Sequence, residues 1–113
     1  MRELALLLLA CTLAACGSAS DGAQFNEAKR LIAENCAGCH QVPGVATARG
    51  RVGPSLAGIG RQQIIAGHFG NSPLMLAHWI AHPQLLLPGN AMPDTGLTEQ
   101  QAQSIATYLY SLD

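Results

Sequence analysis

Apolar residues fall along this chain as one near-continuous run and three helically spaced stretches. The run, residues 4–15, follows Arg2 and carries no charge. A bilayer-spanning helix needs about 20 such residues. This run is too short, and its small-residue end marks it as an export signal. Residues 17–24, GSASDGAQ, are small and polar and predict a tether. Between residues 23 and 36, Phe25, Ala28, Leu31 and Ile32 recur at helical spacing. A second helix is predicted over 72–82, with Ser72 at its cap, Pro73 in its first turn and Pro83 at its stop. The third opens on Thr98 and Gln101, which fit a capping box, with Leu97 as the outer half of a hydrophobic staple. Ala102, Ile105, Ala106 and Leu109 make its apolar stripe. Gly and Pro dominate residues 38–60 and punctuate LLLPGNAMPDTG at 85–96, so both stretches read as loops. No segment shows a convincing period of two. The expectation is an all-α fold, three main helices joined by long loops.

The end of the apolar run is more specific than a generic cleavage site. Leu13-Ala14-Ala15-Cys16 resembles the lipobox of bacterial lipoproteins. That resemblance implies cleavage before Cys16, lipid on its thiol, and a place on the periplasmic side of the bacterial cell envelope, anchored to a membrane. The expected organisation is a lipoprotein signal peptide at 1–15, a flexible tether at 16–24 and one domain at 25–113.

A chain of 113 residues holds one small domain. From residue 16 onward, five basic residues stand against six acidic ones, a balance that gives no support for nucleic-acid binding. The large aromatics are few: Phe25, Phe69, Trp79, Tyr108 and Tyr110. Domains this small seldom stabilise themselves by apolar side chains alone, so another group is expected at the centre.

Cys36-Ala37-Gly38-Cys39-His40 supplies the chemistry for one. A thioredoxin-like dithiol needs a strand and a sheet around its C-x-x-C, and here a helix precedes it. Structural zinc needs four ligands. Cys36, Cys39, His78 and His82 make a formal set, but it leaves His40 without work, and the long Gly- and Pro-rich spacing is wrong for a finger. A c-type haem uses all three residues in this order: both thiols add to the haem vinyl groups as thioethers, and His40 ligates the iron through Nε2. Gly38 is expected to let the backbone pass close to the ring. The sixth ligand comes from Met75, Met92, His68, His78 or His82. Met75 lies in the 72–82 helix and reads as core filler. His78 and His82 read as surface or propionate-side residues. Met92 lies in a loop stiffened by Pro88 and Pro93, from which a thioether reaches iron without a helix colliding with the ring, and is the expected ligand.

From Gln24 to Asp113 the chain resembles the class I c-type cytochromes, on CAGCH, GPSLAGIGR, WIAHP, PGNAMP and IATYL. Within that group it is similar to the cytochrome c domain fused to subunit II of caa-type haem–copper oxidases, on CHQVPGVATARGRVGPSL and GNSPLMLAHWIAHPQLLLPGNAMP. The resemblance implies one haem c held by Cys36 and Cys39, with His40 and Met92 as axial ligands and the Pro54 carbonyl on Nδ1–H of His40. It implies Arg61 near a haem propionate, and Trp79 and Ile80 against the haem. It further implies that the first and last helices cross, Ala28 and Ile32 meeting Ile105 and Tyr108. The stretch after Gly53-Pro54 is about one residue shorter than the oxidase-domain pattern and lacks its usual His, and Ser55 stands where Asp is commoner. The expectation is a haem module on a lipid tether, without the copper-binding domain that the oxidase subunits carry.

The expected function is membrane-tethered one-electron transfer rather than catalysis. The donor would be a quinol-oxidising complex or another cytochrome, and the acceptor a haem–copper oxidase. Two alternatives stay open: a haem subunit held permanently in an oxidase complex, and a gas- or peroxide-binding haem protein with a weak sixth ligand. The exposed haem edge is expected to be rimmed by Gln41, Val42, Ala46 and Ala91. The lipobox yields a direct expectation. Cys16→Ser releases a spectrally normal protein from the membrane fraction; retention of the variant in membranes means either that this residue is not lipidated or that a partner holds the protein there.

Overall fold

Helices begin where a side chain can satisfy their first free amides, and two of the three long helices here do so. The computed structural model describes residues 20–112; the expected export segment 1–15 and Cys16 lie outside them. A helical turn, α1 (Ser20–Ala23), precedes the first long helix, α2 (Asn26–Asn35). Helix α3 (Pro73–Ala81) is capped by Ser72, whose hydroxyl accepts from the Met75 amide at 3.0 Å. Pro83 ends α3 by starting a separate turn, α4 (Pro83–Leu86), after His82 leaves helical geometry. Helix α5 (Glu99–Tyr110) carries the expected capping box: Thr98 Oγ1 accepts from the Gln101 amide, and Gln101 Oε1 accepts from the Thr98 amide.

The three expected helices are therefore joined by two single turns, one of which falls inside the expected tether. A small hairpin also appears, β1 (Ile64–Ile65) paired antiparallel with β2 (Phe69–Gly70). Strands two residues long cannot display alternation. Their turn is nonetheless well defined, because Ala66 and Gly67 both have positive φ and His68 N–H closes on Ile65 O at 3.1 Å. This is the backbone twist that favours tight hairpins.

Helix α5 packs across α3 and α2. Small residues allow the approach: Ala102 and Ala106 on α5, Ala77 and Ala81 on α3 and Ala28 on α2 are all buried. Ala28 and Ile32 share one buried cluster with Ile105 and Tyr108. No charged or polar side chain is buried in it among the described residues.

Tyr108 ties the loop after α2 to this frame. Its hydroxyl donates to the Pro43 carbonyl at 2.6 Å, and its ring meets Phe25 edge-on at 5.4 Å. Burial raises its phenol pKa above the usual value, so it stays a donor. Gly44 lies against that hydroxyl at φ +82°, where a Cβ would both strain the backbone and strike the tyrosine oxygen. Tyr108→Phe is expected to lower unfolding stability by about 1 kcal/mol. Gly44→Ala should cost more, because it adds the positive-φ penalty to a displaced hydroxyl. Denaturant titration of both variants checks the order; equal or reversed costs refute it.

Candidate functional site

The Cys36–His40 segment is a tight turn continuing α2. Cys36 N–H bonds Ile32 O, and the His40 and Cys39 amides both return to Cys36 O, at 2.9 and 3.1 Å. The chain then loops out and comes back across it. Gly50 N–H bonds His40 O at 3.1 Å, and Gly53 N–H bonds Cys39 O at 2.7 Å. Such closeness requires bare glycine. A Cβ at Gly50 would lie 2.5 Å from Cys39 backbone atoms, and one at Gly53 would run into the His40 ring. The next residue, Pro54, presents its carbonyl to His40 Nδ1 at 2.7 Å. A carbonyl only accepts, so Nδ1 carries the proton and Nε2 keeps its lone pair for a metal.

Cys36 and Cys39 are free thiols, Cys36 buried and Cys39 half-buried. Burial, reinforced by Cys39, pushes the Cys36 thiol up to about 11. An exchange-active dithiol needs the opposite shift, toward thiolate at neutral pH.

Both cysteines and His40 line one cavity of about 340 Å³, a size typical of small-molecule and cofactor sites. Helices α3 and α5 supply apolar walls through Leu76, Trp79, Ile80, Ile105 and Leu109. Pro54 and Met92 line it too. Met92 is delivered by a loop cross-tied by two amide side chains. Gln84 Nε2 donates to the Asn90 and Met92 carbonyls, both at 2.8 Å, while its Oε1 accepts from the Gly89 amide. Asn90 Oδ1 accepts from the Met92 amide at 2.7 Å, and Asn90 Nδ2 donates back to Pro83 O and Leu87 O. A second amide, Asn71, holds the wall segment: it donates to Ile59 O and Gln62 O and accepts from Tyr110 Oη. Sequence reasoning missed Gln84, Asn90 and Asn71. The only sequence signal was Asn90 two residues before Met92, the spacing of an Asx turn.

Of the residues singled out in the sequence, Cys36, Cys39, His40, Pro54, Trp79, Ile80 and Met92 are brought to one cavity. Arg61 ends the 3-10 turn Ile59–Arg61 and does not line the cavity, although Ile59 and Gln62 on either side do. Met75 is half-buried against the hydrophobic cluster. A Cβ on Gly38 would meet no protein atom; the close backbone approaches to the motif are made at Gly50 and Gly53. The expected rim is only partly right. Ala91 lines the cavity, but Val42 is 3 % exposed and belongs to the core, and Gln41 and Ala46 line a separate hollow beside it. His78 and His82 are partly exposed and gather with Glu99, away from the two cysteines, so the four-residue zinc set does not form.

The family model described as Cytochrome c matches residues 25–113. The chain belongs to the cytochrome c family. It has that family's class I fold, and membership makes haem-based electron transfer the chemistry of this cytochrome domain and implies a covalently bound haem c. The cytochrome is also similar to the "Cytochrome c oxidase subunit 2" of Bacillus sp. (strain PS3), 34% identical over 90 residues. That match takes in 76% of this chain but 25% of the relative, so the cytochrome spans about a quarter of the length of the protein it resembles. No solved structure matches it significantly.

The residues fit the implied haem. A cavity with apolar walls, two adjacent free thiols, an imidazole with its outer nitrogen already bonded and a thioether from a braced loop make a covalent haem site's donor set. The bracing yields a test. Gln84→Ala removes the acceptor of the Gly89 amide and two donors to the loop. Hydrogen exchange at Gly89 and Met92 should accelerate about tenfold or more, with α2 and α5 unchanged. Unchanged loop exchange would show that Gln84 does not brace the loop.

Proposed function

We propose that this chain is a monohaem cytochrome c that carries one electron at a time. It would take electrons from a quinol-oxidising complex or another cytochrome and donate them to a haem–copper oxidase. Lipid on Cys16 would tether it to a membrane on the periplasmic side of the cell envelope. One observation carries the reading: the C-x-x-C-H turn and Met92 line the same apolar cavity, with His40 Nδ1 fixed on the Pro54 carbonyl.

Bound there, haem supplies a one-electron ferric/ferrous couple. Cys36 and Cys39 would hold it through thioethers. His40 would ligate through Nε2, its ring locked by Pro54, and Met92 would give the sixth ligand from the loop braced by Gln84 and Asn90. Trp79 and Ile80 would pack on the ring and exclude water. Arg61, beside the wall residues Ile59 and Gln62 in the chain, would offset a haem propionate. Thioether ligation and apolar burial both favour the reduced state. His40 and Met92 would both be taken up in holding the haem, which supports a carrier rather than an enzyme. A gas- or peroxide-binding protein would need the sixth position open, and the cross-tied Met92 loop speaks against that.

The similarity to an oxidase subunit supports a second arrangement, in which the cytochrome is bound permanently in an oxidase complex. Gentle solubilisation separates the two: a carrier elutes alone, a subunit co-purifies with the oxidase haems at fixed ratio.

The ligand assignment is tested by substitution. Met92→Ala should abolish the weak red band of methionine-ligated ferric haem and lower the potential by on the order of 0.1 V. Met75→Leu should change neither, being a volume-conserving packing change. If Met75 controls the spectrum instead, the assignment fails. Cys36→Ser with Cys39→Ser should prevent covalent haem and leave a largely unfolded chain; a double variant that stays cooperatively folded refutes the haem-centred reading.

A further inference from the structure

We propose that His78, His82 and Glu99 form a second metal site, for one divalent ion of the zinc class, on the solvent side of the α3–α5 junction. One ligand atom from each of the three lies within 4.8 Å of the other two. Glu99 Oε1 is 2.6 Å from His82 Nε2 and 3.4 Å from His78 Nδ1. The two imidazoles meet edge-to-face with centroids 5.3 Å apart.

The placement comes from the fold. His78 and His82 are one helical turn apart, and the His82 amide still bonds His78 O at 2.9 Å. Their rings therefore meet on one side of the C-terminal end of α3, while Trp79 and Ile80 between them line the haem cavity. Glu99 comes from the first turn of α5, held there by the Thr98–Gln101 capping box. Two imidazoles and a carboxylate are a ligand set that zinc accepts in tetrahedral sites, with water in the fourth position.

The spacing suits an ion. Ligands about 2.0–2.2 Å from zinc stand about 3.3–3.6 Å apart. The His78–Glu99 distance is already in that range, and His82 and Glu99 need part by less than about 1 Å. Zinc would replace the proton now shared between His82 Nε2 and Glu99 Oε1. That proton leaves Nε2, for Nδ1 of the same ring or for solvent. The bond given up lies between partly exposed groups, where ion pairs contribute little. By the usual order of affinities, copper(II) should bind more tightly than zinc.

Untagged, haem-loaded full chain should be titrated with zinc chloride by calorimetry in a non-coordinating buffer. Thiols not taken up by haem are capped with iodoacetamide, so they do not compete for zinc, and the comparison of variants within one haem-loaded preparation separates failure of the metal site from failure of the haem reading. One zinc per chain is expected, and an ion bridging two helices should raise the melting temperature. His82→Gln and Glu99→Gln should each weaken binding about tenfold or more, whereas His68→Gln, an exposed histidine outside the cluster, should not. The haem spectrum reports that each variant is folded. Absence of saturable binding below millimolar zinc, or binding indifferent to His82→Gln and Glu99→Gln, overturns the proposal and leaves the cluster as a hydrogen bond between helices.

Discussion

The contact between His40 Nδ1 and the Pro54 carbonyl, at 2.7 Å, fixes the geometry around it. It joins two backbone segments fourteen residues apart, and neither can be moved without losing it. For Pro54 to arrive, the returning chain must lie almost on the Cys36–His40 turn, which only glycine at positions 50 and 53 permits. The amide bonds from Gly50 and Gly53 to His40 O and Cys39 O then satisfy carbonyls that the tight turn would leave free. The bond's consequence is chemical. It places the proton on one ring nitrogen and leaves the other for the cavity.

The opposite side of the cavity is organised by the same physics with different parts. The segment carrying Met92 has no regular structure to spend its amides and carbonyls on. Gln84 and Asn90 take them up, each acting as donor and acceptor at once. Asn71 does the same for the wall at residues 59–62 and passes the connection to α5 through Tyr110. Side-chain amides suit this work because they offer both donors and acceptors without a charge that the apolar surroundings would penalise.

Helix α5 is the common support. Its alanines let α2 and α3 approach, its Tyr108 and Tyr110 anchor the loops on either side of the cavity, and its Glu99 reaches the histidines of α3. A short chain with few aromatics thus sets apolar side chains of α3 and α5 along one wall of the cavity that Cys36, Cys39 and His40 share.

The sequence by itself determined the three long helices, because caps and apolar periodicity act within a few residues. Thr98 with Gln101 and Ser72 before Pro73 behave as local chemistry dictates. It also determined the haem motif, since two thiols and an imidazole at that spacing have few uses. Only the tertiary structure decided what depends on distant segments meeting. It set which glycines allow close approach, how Gln84 and Asn90 hold the Met92 loop, and that Val42 lies in the core rather than at a rim. It also gathered His78 and His82 with Glu99 instead of with the cysteines. Apart from the Asx-turn spacing of Asn90 and Met92, those outcomes rest on contacts whose partners carry no mark in sequence. An amide or imidazole looks the same along the chain whether it faces water, a carbonyl or a carboxylate, and only the packing of α3 against α5 chooses among them.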